Sequence, residues 1–154
     1  MPARYFYATR CKESNFHACS FTYDGVKLPT SEHHLMRAKA SLMGDVEAVA
    51  KIEKAKKPMQ AKRLGRQVRN FDAALWGERC DDVMEAILVA KFTSSAKMRE
   101  YIVATEGPFY EASANDKIWG IGIDVDAAES GEPHNGENKL GRALDRARAR
   151  IVGQ

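Results

Sequence analysis

Cysteine is scarce here: Cys11, Cys19 and Cys80 are the three present. Their number is odd and no C-x-x-C pair occurs, so neither a disulfide framework nor a thiolate metal clamp is specified. Free thiols in a reducing compartment are the expectation. Long apolar runs are missing as well. The longest is "AILVA", far short of the roughly 20 residues that cross a bilayer, and the opening "MPARYFYATRC" lacks a stretch of secretory length. The chain therefore reads as cytoplasmic, with no membrane partner. There is no low-complexity tract, internal repeat or linker. The patterns G-x-G-x-x-G, G-x-S-x-G and H-x-x-x-H are absent, which removes the dinucleotide fingerprint, the serine nucleophile elbow and the helical zinc pair. His33 and His34 are adjacent and diverge on a helix, and Cys11, His17 and Cys19 fit no common zinc spacing. Neither a metal nor a cofactor is expected.

What is present suits one domain over residues 1–154. At 44% hydrophobic and 29% charged, a chain of this length buries a core without staples. The net charge of +3 is unevenly placed: seven bases and no acid lie between Lys54 and Arg69, leaving 17 bases against 21 acids elsewhere. A neutral-to-acidic body carrying one basic segment points to local phosphate contact, or to a solvated helix face, more than to a field for an extended polyanion.

The pattern predicts a predominantly helical α+β domain with a few short strands. "RYFYAT" and "FYEAS" read as strands, and "FTYDGVKL" as a hairpin turning at Asp24-Gly25. Thr30 or Ser31 caps a helix carrying Leu35, Ala38 and Leu42. "DVEAVAKIEKA" gives a second, with Val46, Val49, Ala50 and Ile52 inward, and Pro58 opens a third. A long helix runs from about Cys80 to Phe92, burying Val83, Ile87 and Ala90. "SSAKMREYIVAT" makes another, closed by Gly107-Pro108. "DAAESGEPHNGE" reads as a polar loop. "NKLGRALDRARARIV" makes the last helix, with Leu140, Ala143, Leu144, Ala147 and Ile151 on one side.

The first helix contains "LPTSEHHLMRAKA". Glu32 and Lys39 are seven residues apart, so they fall within roughly 20° of one another around the axis. They either bracket a small polar substrate or form an ordinary solvated pair. Trp76 and Trp119 are each followed by glycine, as in "WGER" and "WGIG". They either stack on a planar ring or serve as core indoles. Asp116 places a carboxylate three residues before Trp119.

Six fragments taken together, "SNF", "FTYDGVKLPTSEHHLMRAKA", "AKRLGR", "LWGERCDDVMEAILVAKF", "EASANDKIWGIG" and "GENKLGRAL", resemble the NADAR domain family, in matching order over residues 5–150. The resemblance implies hydrolysis of an N-glycosidic ribosyl–base bond. Two substrate classes come with it: ADP-ribose on the amino group of guanine, in DNA, RNA or a nucleotide, and phosphorylated ribosylamino-pyrimidine intermediates of riboflavin synthesis. It assigns Glu32, Lys39 and Asp116 to catalysis, and Asn15, Phe16, Trp76, Arg79, Trp119, Gly120 and Asn138 to substrate binding. Arg63 and Arg66 become candidates for phosphate. Where the family has aromatic or amide residues, this chain has His17, His33, His34 and Glu137. Two routes stay open. In one, Glu32 stabilises the oxocarbenium-like centre or activates water. In the other, Lys39, kept neutral by burial and by a cation such as Arg79, forms a Schiff base with the opened sugar. A binding module for ADP-ribose or a nucleotide, without catalysis, is the alternative of another class.

Overall fold

In the computed structural model, which describes residues 3–154, seven helices surround two small strand pairs. The β1 strand (Arg4–Phe6) lies parallel to β4 (Phe109–Glu111), with Phe6 opposite Glu111. The hairpin pairs β2 (Phe21–Tyr23) with β3 (Val26–Leu28). Its turn residues Asp24 and Gly25 both have positive φ, 53° and 76°, the geometry of a two-residue primed turn.

Side-chain caps start most helices. Thr30 accepts from the His33 N–H and opens α1 (Ser31–Leu42). Asp45 opens α2 (Val46–Lys54), and Pro58 is the first residue of α3 (Pro58–Arg66). Asp72 caps α4 (Ala73–Phe92), and Ser95 caps α5 (Ala96–Ala104). A short α6 (Val125–Glu129) precedes α7 (Lys139–Val152). No helix among the described residues is long and apolar enough to cross a membrane.

Four expectations need correction. Of the stripe expected on the long helix only Ile87 is buried; Cys80, Met84 and Leu88 are the other apolar residues buried before Phe92, while Val83 and Ala90 are half-buried. The long helix begins at Ala73 rather than near Cys80, because Asp72 supplies a cap and Gly77 sits in open space where its missing side chain is harmless. The span read as a polar loop contains α6, capped by Asp124. On α2 the buried residues are Ala48 and Ile52, while Val46 is exposed at 77% and Ala50 also faces water. Asp45 holds both the Ala48 N–H and Arg69, which fixes the rotation of that first turn. The inward residues expected on α7 are all buried.

The core lies where α4 packs along α7, with Met84, Ile87 and Leu88 in one cluster with Leu140, Leu144 and Ile151. Helix α1 packs against α4 as well, and also contacts α2 and α3. Two glycines set the closest approaches. A Cβ at Gly65 would overlap the Met36 thioether, so α3 presses directly onto α1. A Cβ at Gly141 would strike the Phe109 carbonyl and the Asn138 side chain, so α7 abuts β4. Backbone cannot step aside as a flexible side chain can. Gly141→Ala is expected to cost about 1–3 kcal/mol through overpacking, seen as a lower urea midpoint; an unchanged midpoint would mean α7 stands off the strand.

Candidate active site

The shared face of Glu32 and Lys39 opens into a cavity of about 360 Å³. The adjoining helix α3 contributes Lys62 and Arg66, which are four residues apart and therefore on one side. Asn15 and Phe16 come from the turn before β2, Glu111 from the end of β4, and Asp116 and Trp119 from the turn that follows.

Of the twelve residues singled out in the sequence, seven line this cavity: Asn15, Phe16, Glu32, Lys39, Arg66, Asp116 and Trp119. The other five are placed elsewhere. Trp76 is half-buried against the main core, and Arg79 is exposed. Arg63 is exposed because one residue turns the helix by about 100° away from Lys62. Gly120 and Asn138 stand behind the cavity wall. A Cβ on Gly120 would lie 2.9 Å from the carbonyls of Glu111 and Asp116. The Asn138 amide accepts from the Glu111 N–H at 3.1 Å and donates to the Phe109 carbonyl at 2.9 Å. Both fix the strand that aims Glu111.

Burial dominates the electrostatics. Glu32, only 7% exposed, has its pKa pushed from 4.5 up to about 7 by desolvation; Lys62, Lys39 and Arg66 pull it back and Asp116 pushes it up. Glu111 is pushed higher, to about 8, by desolvation and then by Asp116 and Glu32, with Lys62 as the opposing cation. Its Oε2 is buried without a hydrogen-bond partner. Burial also lowers the Lys39 pKa; Glu32 opposes this and Arg66 adds to it. The nearby cation is thus Arg66, in place of the expected Arg79. Asp116 differs: its Oδ1 accepts from the Ile118 and Trp119 N–H groups at 3.0 and 2.8 Å, which fastens the turn.

Sequence reasoning missed Glu111, Lys62 and Lys91. The period of two in a strand puts Glu111 on the side of buried Phe109, a carboxylate on a core-facing position. Lys62 shares a helix face with Arg66, a signal outweighed by the better phosphate geometry of arginine. Lys91 is fully buried and no local pattern marks it. Its Nζ donates to the Ser14 carbonyl at 2.9 Å and to Ser31 Oγ at 3.4 Å, and that hydroxyl donates to Asn15 Oδ1 at 2.8 Å. Desolvation pushes the lysine down to about 8.

The four departures from the family pattern do not line this cavity. His33 bridges Thr30 Oγ1 and the Ala55 carbonyl, while His34 lies between Phe21 and Tyr23 with Nε2 on the Phe21 carbonyl. His17 contacts the Thr9 carbonyl, and Glu137 is exposed. No cluster of three or more His, Cys, Asp or Glu placed to hold a metal ion occurs among the described residues. A second cavity of about 440 Å³ adjoins the first and shares Ser14, Phe16, Lys62, Glu111, Asn115 and Asp116 with it.

The fold and the site define a class: a small helical domain that keeps two carboxyl groups out of water beside amines and an indole. The NADAR domain matches residues 5–152, and the chain belongs to that family. It is 33% identical to Protein irg-1 of Caenorhabditis elegans, over 95% of this chain and 78% of that one. It is 34% identical to N-glycosidase R617 of Acanthamoeba polyphaga mimivirus, over 77% and 72%. It is 32% identical to Riboflavin biosynthesis protein VVA0006 of Vibrio vulnificus, covering 85% of this chain and 33% of that longer one. The NMR structure of the Escherichia coli protein YbiA superposes with a TM-score of 0.76 at 29% identity, covering 96% of this chain and 83% of that one.

The raised Glu32 pKa has a sign that stability can read. The folded state prefers the protonated acid, so this contribution is whole below about pH 4 and is lost as pH rises past 7. Glu32→Gln should melt with the wild type at pH 4 and about 10 °C above it at pH 8.5, at roughly 1.4 kcal/mol per pKa unit and 2–4 °C per kcal/mol. Equal melting temperatures at both pH values would show that the carboxylate is solvated.

Proposed function

We infer that this chain is an N-glycosidase that hydrolyses a ribosyl–base bond in a phosphate-bearing substrate. The observation that carries the reading is the pair of buried Glu32 and half-buried Glu111, whose Oε2 is out of water, facing one cavity with pKa values pushed to about 7 and about 8. Near neutrality one can be ionised while the other keeps its proton, the division that acid–base cleavage needs. Glu32 as carboxylate takes a proton from the attacking water, whose oxygen bonds to the anomeric carbon. The C–N bond breaks with its electron pair going to the base nitrogen, which takes the proton of Glu111. The same Glu32 charge stabilises positive character at the anomeric centre. Asp116, with Oδ1 committed to its own turn, offers its other oxygen to a ribose hydroxyl. Lys39, Lys62 and Arg66 face phosphate, and Trp119 flanks the sugar. A module that only binds nucleotides has no use for two carboxyls held out of water beside the ligand, which favours catalysis over mere recognition.

Within this reading, release of ADP-ribose from guanine in DNA, RNA or a nucleotide is the substrate we favour. The cations on one side of the acids and the further space on the other suit a long substrate. Cleavage of a ribosylamino-pyrimidine phosphate is the second reading, favoured by the 32% identity to a riboflavin biosynthesis protein. Parallel assays with guanine-linked ADP-ribose oligonucleotide and the pyrimidine phosphate decide between them; turnover of neither removes the N-glycosidase assignment.

Two results are expected of the chemistry. The pH profile of kcat/KM should be a bell with limbs near 7 and 8, and Glu32→Gln and Glu111→Gln should each lower kcat by about 10²–10⁴, the latter also removing the alkaline limb. A rate within a few-fold of wild type in both variants would take the reaction away from these acids. Borohydride added during turnover should leave Lys39 unmodified; a trapped adduct would move catalysis to the amine and leave the acids as its helpers.

A further inference from the structure

The second cavity shares its border with the first at Glu111, Asp116, Lys62 and Phe16, but its own residues are of another kind. Lys39 and Arg66 belong to the first lobe alone. The residues peculiar to the second are Phe6, Tyr7, Ala8, Thr9, Met59 and Ser113, with no lysine, arginine, aspartate or glutamate among them. Tyr7 and Met59 are exposed at 51% and 43%, as large apolar side chains left at a mouth. The wall between them is built with care. Ala8 has φ +76°, a left-handed conformation that is strained for a non-glycine residue. Neighbouring contacts hold it: the Cys11 N–H donates to the Ala8 carbonyl, Cys11 Sγ to the Tyr7 carbonyl, and His17 Nδ1 lies 2.7 Å from the Thr9 carbonyl. A strained turn kept in place beside a cavity is a mark of function.

We propose that this second lobe seats the leaving base, a planar heterocycle, and that Tyr7 and Met59 set which leaving groups the enzyme accepts. The proposal rests on the N-glycosidase reading. A bond being cut has a group on each side; Glu111 and Asp116 stand where the two lobes meet, with Glu32 on the charged side of that border. The charged lobe suits the phosphorylated sugar. The uncharged aromatic lobe suits a base, which gains by stacking and by contact with a thioether. The orphaned Oε2 of Glu111 is on the shared border, where it can meet the departing nitrogen. The open mouth lets a base enter while still joined to a larger molecule.

The test uses Tyr7→Ala and Met59→Ala, exposed positions whose truncation spares the core, with melting curves to confirm folding. Guanine-linked ADP-ribose oligonucleotide spans both lobes, and free ADP-ribose fills the charged one alone. Each variant should raise KM for the oligonucleotide by about tenfold and leave the Kd of free ADP-ribose within twofold. If the pyrimidine phosphate is the substrate turned over, ribose 5-phosphate replaces ADP-ribose as the reference. A parallel loss for substrate and reference would place the phosphorylated side in this lobe, and no loss for either would leave it unused; both results overturn the proposal. If wild type cleaves neither compound, the enzymatic reading fails separately. Binding of the intact oligonucleotide then decides: affinity lost in the variants, with free ADP-ribose unaffected, upholds the base seat, and equal affinity overturns it.

Discussion

A carboxyl group in the first turn of a helix normally points into water, where the helix dipole favours its charge. Glu32 occupies that position and is buried, and most of the site follows from this constraint. Desolvation outweighs both the dipole and three surrounding cations, which is why the pKa rises instead of falling. Burying the whole start of α1, from Thr30 to Met36, calls for partners for the polar groups there, and most have one; His34 Nδ1 is left without. Thr30 caps the helix and meets His33, Ser31 meets Asn15 and Lys91, and the Glu32 N–H donates to the Asn15 carbonyl. The two histidines that first suggest chemistry are packing residues within this arrangement, turned into the body to meet carbonyls of Ala55 and Phe21.

Lys91 extends the same logic. A fully buried amine is tolerable only if hydrogen-bonded, and its two acceptors are Ser14 and Ser31, which belong to the two segments that wall the cavity. The lysine reaches from α4, in the centre of the core, to hold the turn carrying Asn15 and Phe16 against α1. On the opposite wall Asn138 serves β4 in the same way, with φ +54° at the start of α7. Helix α7 must then approach so closely that only glycine fits at 141. Helices and a strand therefore position Glu32, Lys39 and Glu111 from both sides, while turns supply Asn15, Phe16, Asp116 and Trp119.

What was legible in the sequence follows the range of the interactions involved. The hairpin turn, the cap at Thr30, the helix start at Pro58 and the stripe on α7 are set by neighbours within a few residues, and local pattern finds them. The Glu32–Lys39 face is also local, because helix periodicity fixes it. The placement of Trp76 and Arg79 is not: they are one helical turn apart on α4, and which way that turn faces depends on its packing against the core. Glu111 is the clearest case. Its strand period is the one local hint; what desolvates it is tertiary, because Gly120 lets backbone pass close to the Glu111 carbonyl and because α1 and α3 close over the cavity. Family resemblance carried seven residues to the cavity but could not separate those that line it from those that support it.

The two acids sit in one cavity, yet their roles need not be assigned by analogy. Both lose hydration, and both feel Asp116. They differ in the cations around them: Lys62, Lys39 and Arg66 act on Glu32, while Lys62 alone opposes the rise at Glu111. More nearby positive charge favours the ionised form, so Glu32 loses its proton first and its negative charge then helps Glu111 keep its own. A phosphate bound to those same cations would neutralise part of their field and raise Glu32 further, drawing the two values together. Lys62 lies on the border of both cavities and lowers the pKa of both acids, so any change in the charge around it is felt by the two carboxyl groups together.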